Sequence, residues 1–104
     1  MKIQILHNQS CNFWIVAKAL LEDILKEMGI RAEVEEVLIF KDEEAARYHF
    51  AGSPQILIDG KDIDPMADKV TNFHTSGCRV YFWKGEVYDY PPREMMMEAL
   101  QKYA

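Results

Sequence analysis

The chain has 104 residues, 49% of them hydrophobic, which suits one compact domain over residues 1–104 with a single core and leaves no room for a second. Its net charge of -5, with acidic and basic residues interspersed, argues against nucleic-acid and membrane partners, which would call for a basic patch. No apolar run approaches a membrane span, and two cysteines are too few for a disulfide scaffold, so a reducing, cytoplasmic setting is expected.

The opening Met1–His7 alternates and reads as a first strand rather than a leader, with Ile3, Ile5 and Leu6 as its apolar residues. His7-Asn8-Gln9-Ser10 is a polar turn. Ser10 is expected to cap a helix, which places Cys11 in the first helical turn. Trp14, Ala17, Leu21, Ile24, Leu25 and Met28 recur at helical spacing as an inner stripe, and Gly29 stops the helix. Residues 32–39 form a second strand. Glu33, Glu35 and Glu36 mark it as a sheet edge, where charge discourages pairing with another molecule. A strand, a helix and a strand in succession imply a parallel pair. Asp42 is expected to cap a short helix through Tyr48.

The chain is organised around Gly52-Ser53-Pro54-Gln55-Ile56-Leu57-Ile58-Asp59-Gly60. Ile56, Leu57 and Ile58 read as a buried strand with Pro54 at its start and Asp59-Gly60 as a tight turn after it. An X-Pro bond at such a turn is one of the few places where a cis peptide is tolerated. Residues 62–77 form a long irregular loop, a length often associated with function. Residues 78–83 are expected as the fourth strand of the sheet, with Lys84-Gly85 turning the chain into Glu86-Val87-Tyr88 as a hairpin. Pro91-Pro92 opens a last helix whose inner face is Met96, Ala99, Leu100 and Tyr103.

The resulting order, β-α-β-α-β-β-α, with a mixed four- to five-stranded sheet and flanking helices, resembles the thioredoxin-like fold. Cys11 after the first strand and Ser53-Pro54 before the third carry that resemblance. More narrowly, Cys11, the stretch Gly52 to Asp62 and Cys78-Arg79 resemble small stand-alone thioredoxin-family or alkylmercury-lyase-like proteins of undefined role. The resemblance implies that Pro54 is cis and faces Cys11. It also implies catalytic roles for Cys11, Cys78 and Pro54, and substrate contacts from Ser53, Trp14 and Arg79. It departs from the redox members in one respect. Cys11-Asn12-Phe13-Trp14 stands where they carry Cys-x-x-Cys.

Cys11 is the sharpest candidate on chemistry as well. A thiol at a helix N-terminus meets unpaired N–H groups and the positive end of the helix dipole, both of which favour thiolate. The alternative is a small buried apolar residue. Cys78 is either a buried structural cysteine or the missing partner of Cys11, and two features bear on the choice. The long loop offers a route back to the Cys11 end of the sheet, whereas plain strand order would start the fourth strand at the far end. His7-x-x-x-Cys11 and His74-x-x-x-Cys78 repeat a spacing that matches no usual zinc finger, and both histidines are expected to be solvated. Two thiolates would suit a soft ion such as mercury or copper(I) better than zinc. Asp62, Asp64 and Asp68 lack the glycine of a calcium loop and read as a solvated stretch.

The expected function is thiol–disulfide exchange or reduction through Cys11, with or without Cys78, on a protein or small-molecule thiol or disulfide. No cofactor is called for. The alternative is a binding module, either a soft-metal carrier using both cysteines or a protein-docking domain.

Overall fold

A computed structural model describes residues 1–70 and 75–103, with every side chain in them except that of Asp68. The expectations for Asp68, Thr71, Asn72 and His74 lie outside the described residues.

β1 (Ile3–His7) is central, and all five of its residues are buried. β2 (Val34–Leu38) runs parallel to it, from Ile3 opposite Val34 to His7 opposite Leu38. β3 (Gln55–Ile58) runs antiparallel on the other side, with Ile5 opposite Ile56. β4 (Lys61–Asp62) completes the order β2-β1-β3-β4. The result is a mixed α/β domain in which three helices, α1 (Phe13–Glu27), α2 (Asp42–Tyr48) and α3 (Arg93–Tyr103), accompany a four-stranded sheet.

Side chains alternate across the pleat, so Ile3, Ile5, Ile56 and Ile58 share one face. They join Ala17, Leu21, Ile24 and Leu25 of α1 and Met96, Ala99 and Leu100 of α3 in the main core. Each fully buried Ile or Leu there contributes about 1.5–3 kcal/mol. A smaller cluster gathers Leu6, Leu57, Ile39, Ala45 of α2 and Phe50. No helix among the described residues is long and apolar enough to cross a membrane.

Three local expectations are corrected. Ser10 does not cap α1, and Cys11 precedes the helix instead of sitting in its first turn. The Asn8 side-chain oxygen accepts the N–H groups of Ser10 (3.1 Å) and Cys11 (3.0 Å), so residues 8–11 fold as a turn of their own, and Asn12 is the N-cap. Asp42 lies inside α2 rather than capping it. Lys41 is the N-cap there, and Glu44 reaches back to accept the Lys41 N–H at 3.0 Å. Residues 78–83 do not supply the fourth strand. Asp59 and Gly60, both at positive φ, reverse the chain at once, so Lys61 and Asp62 pair back onto Ile58 and Leu57 and occupy that edge. β5 (Tyr81–Trp83) and β6 (Glu86–Tyr88) form a separate two-stranded ribbon. Its turn is tied to α3 by Lys84 Nζ and Glu94 at 2.7 Å.

Candidate functional site

Three segments meet beside the start of β3. The first is the turn 8–11 that leaves β1. The second is the loop around Ser53 and Pro54, whose peptide bond is cis. The third is the chain from Thr75 to Arg79. Ser53 and Cys78 form a lone parallel bridge, in which the Ser53 N–H donates to the Gly77 carbonyl (3.2 Å) and the Arg79 N–H donates to the Ser53 carbonyl (2.9 Å). The contact requires Gly52. Its φ is +115°, and a Cβ there would come within 3.0 Å of the Arg79 Cβ and 3.3 Å of its backbone.

Asn8 binds all of this to β1. It is buried, and its side-chain nitrogen donates to the carbonyls of Thr75 (3.0 Å) and Gly77 (2.9 Å), while its oxygen holds Ser10 and Cys11. One side chain thus fixes both cysteine-bearing segments. Composition had marked Asn8 only as a turn residue. The Asx-turn habit of accepting the N–H two residues on is the local signal that was available.

Within this frame Cys11 and Cys78 are joined by a disulfide, their Cα atoms 5.9 Å apart, inside the range a disulfide needs. The two halves differ in access. Cys11 is buried at 2% exposure, whereas Cys78 is exposed. A cleft of about 180 Å³ opens next to Cys78, lined also by Phe50, Ala51, Gly52, Val70, Ser76 and Gly77. A larger cavity, about 1060 Å³, is lined by Gln4, Gln55 and Leu57 among others and touches neither cysteine.

The other expected site residues are placed as follows. Pro54 is buried, and so is Ser53, whose hydroxyl donates to the Cys11 carbonyl at 3.4 Å. Trp14 packs on the main core and stacks on His7, with ring centroids 4.0 Å apart. His7 is not solvated as expected. It is buried, with Nε2 2.7 Å from Glu36 and Nδ1 3.2 Å from the Asn8 carbonyl, because β1 is the central strand and β2 brings Glu36 alongside.

Arg79, expected to touch substrate, is turned inward. Its guanidinium meets Asp62 at 2.5 and 3.0 Å and Asp64 at 3.5 Å, and all three side chains are at most 10% exposed. The stretch read as solvated carboxylates is therefore a buried ion cluster. The Arg79 guanidinium also lies over the Tyr81 ring, 4.5 Å from its centroid, and the Tyr81 hydroxyl donates to the Pro54 carbonyl. Burial pulls the Arg79 pKa down, but Tyr81, Asp62 and Asp64 outweigh it and the net direction is upward. Burial pushes the Tyr81 phenol well above its ordinary range, with Arg79 pulling against it. Both groups keep their protons at neutral pH. No local pattern signalled this cluster, since Asp62 and Arg79 are 17 residues apart across the loop.

Residues 12–100 match DUF2703, a domain of unknown function. The chain belongs to that family. No curated protein and no solved structure matches the sequence. The DUF2703 match begins one residue after Cys11 and includes Cys78, Ser53, Pro54 and the ion cluster. Among the described residues no group of three or more His, Cys, Asp or Glu side chains is arranged to hold a metal ion.

Proposed function

We propose that this DUF2703 chain is a thiol–disulfide exchange protein of thioredoxin-like fold whose working group is the Cys11–Cys78 pair. The observation that carries the reading is that both of the chain's cysteines are bonded to each other beside a cis-proline loop with one of them exposed. The strand order β2-β1-β3-β4, parallel at β1/β2 and antiparallel beyond, supports the thioredoxin-like fold. Cys78 supplies the second thiol that Cys-x-x-Cys provides elsewhere, and it reaches Cys11 across 67 residues. The reaction balances as one protein disulfide plus two thiols giving the protein dithiol plus one disulfide. In a reducing cytoplasm the resting form is the dithiol, and the chain then acts as the reductant of a protein or small-molecule disulfide. No cofactor enters the reaction.

A second reading rests on the same pair. When reduced, two thiols at this separation suit a soft ion such as copper(I) or mercury. Incubating the reduced chain with insulin or with glutathione disulfide separates the two. Exchange predicts consumption of the substrate disulfide with stoichiometric formation of the Cys11–Cys78 bond, whereas Cys11→Ser and Cys78→Ser cannot form that bond and go no further than a mixed disulfide. A reduced chain that binds copper(I) tightly but leaves both disulfides untouched supports the carrier instead.

A further inference from the structure

Resting on the exchange reading, we infer that Cys78 receives and delivers the external sulfur, and that Cys11 is the internal resolving thiol. This reverses the roles that position along the fold assigned to them. Attack on a disulfide needs access to one sulfur, and departure is favoured when the other leaves as a stabilised thiolate.

Both conditions select Cys78 as the sulfur attacked. Cys78 is exposed and borders the 180 Å³ cleft, while Cys11 is 2% exposed and does not line it. Cys11 lies directly before the N-cap of α1, where the positive helix end favours an anion. A thiolate RS⁻ entering the cleft therefore bonds to the Cys78 sulfur. The Cys11–Cys78 bond breaks, and its electron pair leaves on Cys11. A second thiol then displaces Cys78 from the mixed disulfide, giving RSSR and the dithiol. In the opposite direction the Cys78 thiolate attacks a substrate disulfide and expels one half as a thiolate. Cys11 then attacks the Cys78 sulfur, closes the internal bond and releases the other half.

The cleft shapes what can approach. Phe50, Ala51 and Val70 supply apolar lining, and Gly52, Ser76 and Gly77 make the rest of the wall, so the cleft is of mixed polarity. The partner is a thiol or disulfide whose sulfur can approach the exposed Cys78, whether of a small molecule or of a protein.

The test has two arms, both on the full chain. In the first, the oxidised wild type is treated with dithiothreitol under native conditions. In the second, Cys11→Ser and Cys78→Ser react with an aromatic disulfide probe at neutral pH, folded and in denaturant. The expected result is that Cys11→Ser reacts at least ~10-fold faster than Cys78→Ser when folded, with the rates converging in denaturant. As a check free of variants, a short iodoacetamide pulse on the reduced wild type should label Cys78 before Cys11. If the disulfide opens in the first arm but Cys11 is the faster or equal thiol, the assignment is overturned and the exchange reading stands. A disulfide that survives dithiothreitol in the folded chain overturns both.

Discussion

The segment from Gly77 to Tyr81 is anchored twice, by anchors of opposite kind. At Cys78 the tie is a covalent bond to the turn before α1. One and three residues on, it is a buried set of charges and hydrogen bonds, Arg79 with Asp62 and Asp64 and Tyr81 with Pro54, which no reductant touches. The backbone bridge to Ser53 is centred on Cys78, through the Gly77 carbonyl and the Arg79 N–H on either side of it. This difference bears on what the disulfide is for. A bond that alone held the loop would be structural, because opening it would release its own partner. On the proposed exchange reading, the second anchor would keep the segment in place when the bond opens, with the two thiols poised to re-form it.

The comparison breaks most severely at Asp62. Asp62→Asn leaves Arg79 buried with Asp64 alone at 3.5 Å, and removing one partner of a buried pair costs about 3–5 kcal/mol. Denaturant unfolding of the oxidised protein should show that loss. The variant should also re-form its disulfide more slowly after reduction, since its segment is held less firmly. Unchanged stability would remove the second anchor from the account.

Reducing the bond is the next test. Chain entropy for a 67-residue separation puts the loss at about 4 kcal/mol at most, against a total stability of about 5–15 kcal/mol for a domain. The reduced chain should therefore stay folded, with a lower denaturation midpoint and a little-changed far-ultraviolet circular dichroism spectrum. Unfolding on reduction would make the bond structural.

Tyr81→Phe is the mildest change. It leaves the Pro54 carbonyl without its donor and costs about 1–2 kcal/mol. It also carries a pH signature. The phenol's folded pKa is raised above the unfolded value of about 10, so its contribution is complete below pH ~10 and declines as pH rises through the folded value. Wild-type stability should fall in that alkaline window more steeply than that of Tyr81→Phe. Parallel curves would show that the phenol is not the buried group described.

Much of the frame was legible from local pattern. The stripe from Trp14 to Met28 does face the core, the charged strand 34–38 is an edge, and Asp59-Gly60 and Lys84-Gly85 both turn hairpins. The glutamates on that edge strand did more than pattern alone conveyed, since Glu35 accepts from Gln4 and Glu36 lies against His7. The misplacements at Ser10 and Asp42 came from side chains that set the turns ahead of the helices: Asn8 accepts the N–H groups of Ser10 and Cys11, and Glu44 those of Phe40 and Lys41.

The sequence by itself determined the elements and the faces they bury, because helical and strand periodicity and turn chemistry are properties of a few adjacent residues. Tertiary structure alone decided which strand took the fourth place, that Arg79 points inward, and that Cys78 returns to Cys11. The first follows from the immediate reversal at Asp59-Gly60, and the other two from long-range contacts, Arg79 with Asp62 and Asp64 and Cys78 beside Ser53. A contact across 67 residues is set by the packing of everything between and leaves no mark on the residues that make it. The burial of Cys11 and the exposure of Cys78 are likewise visible only in the tertiary structure.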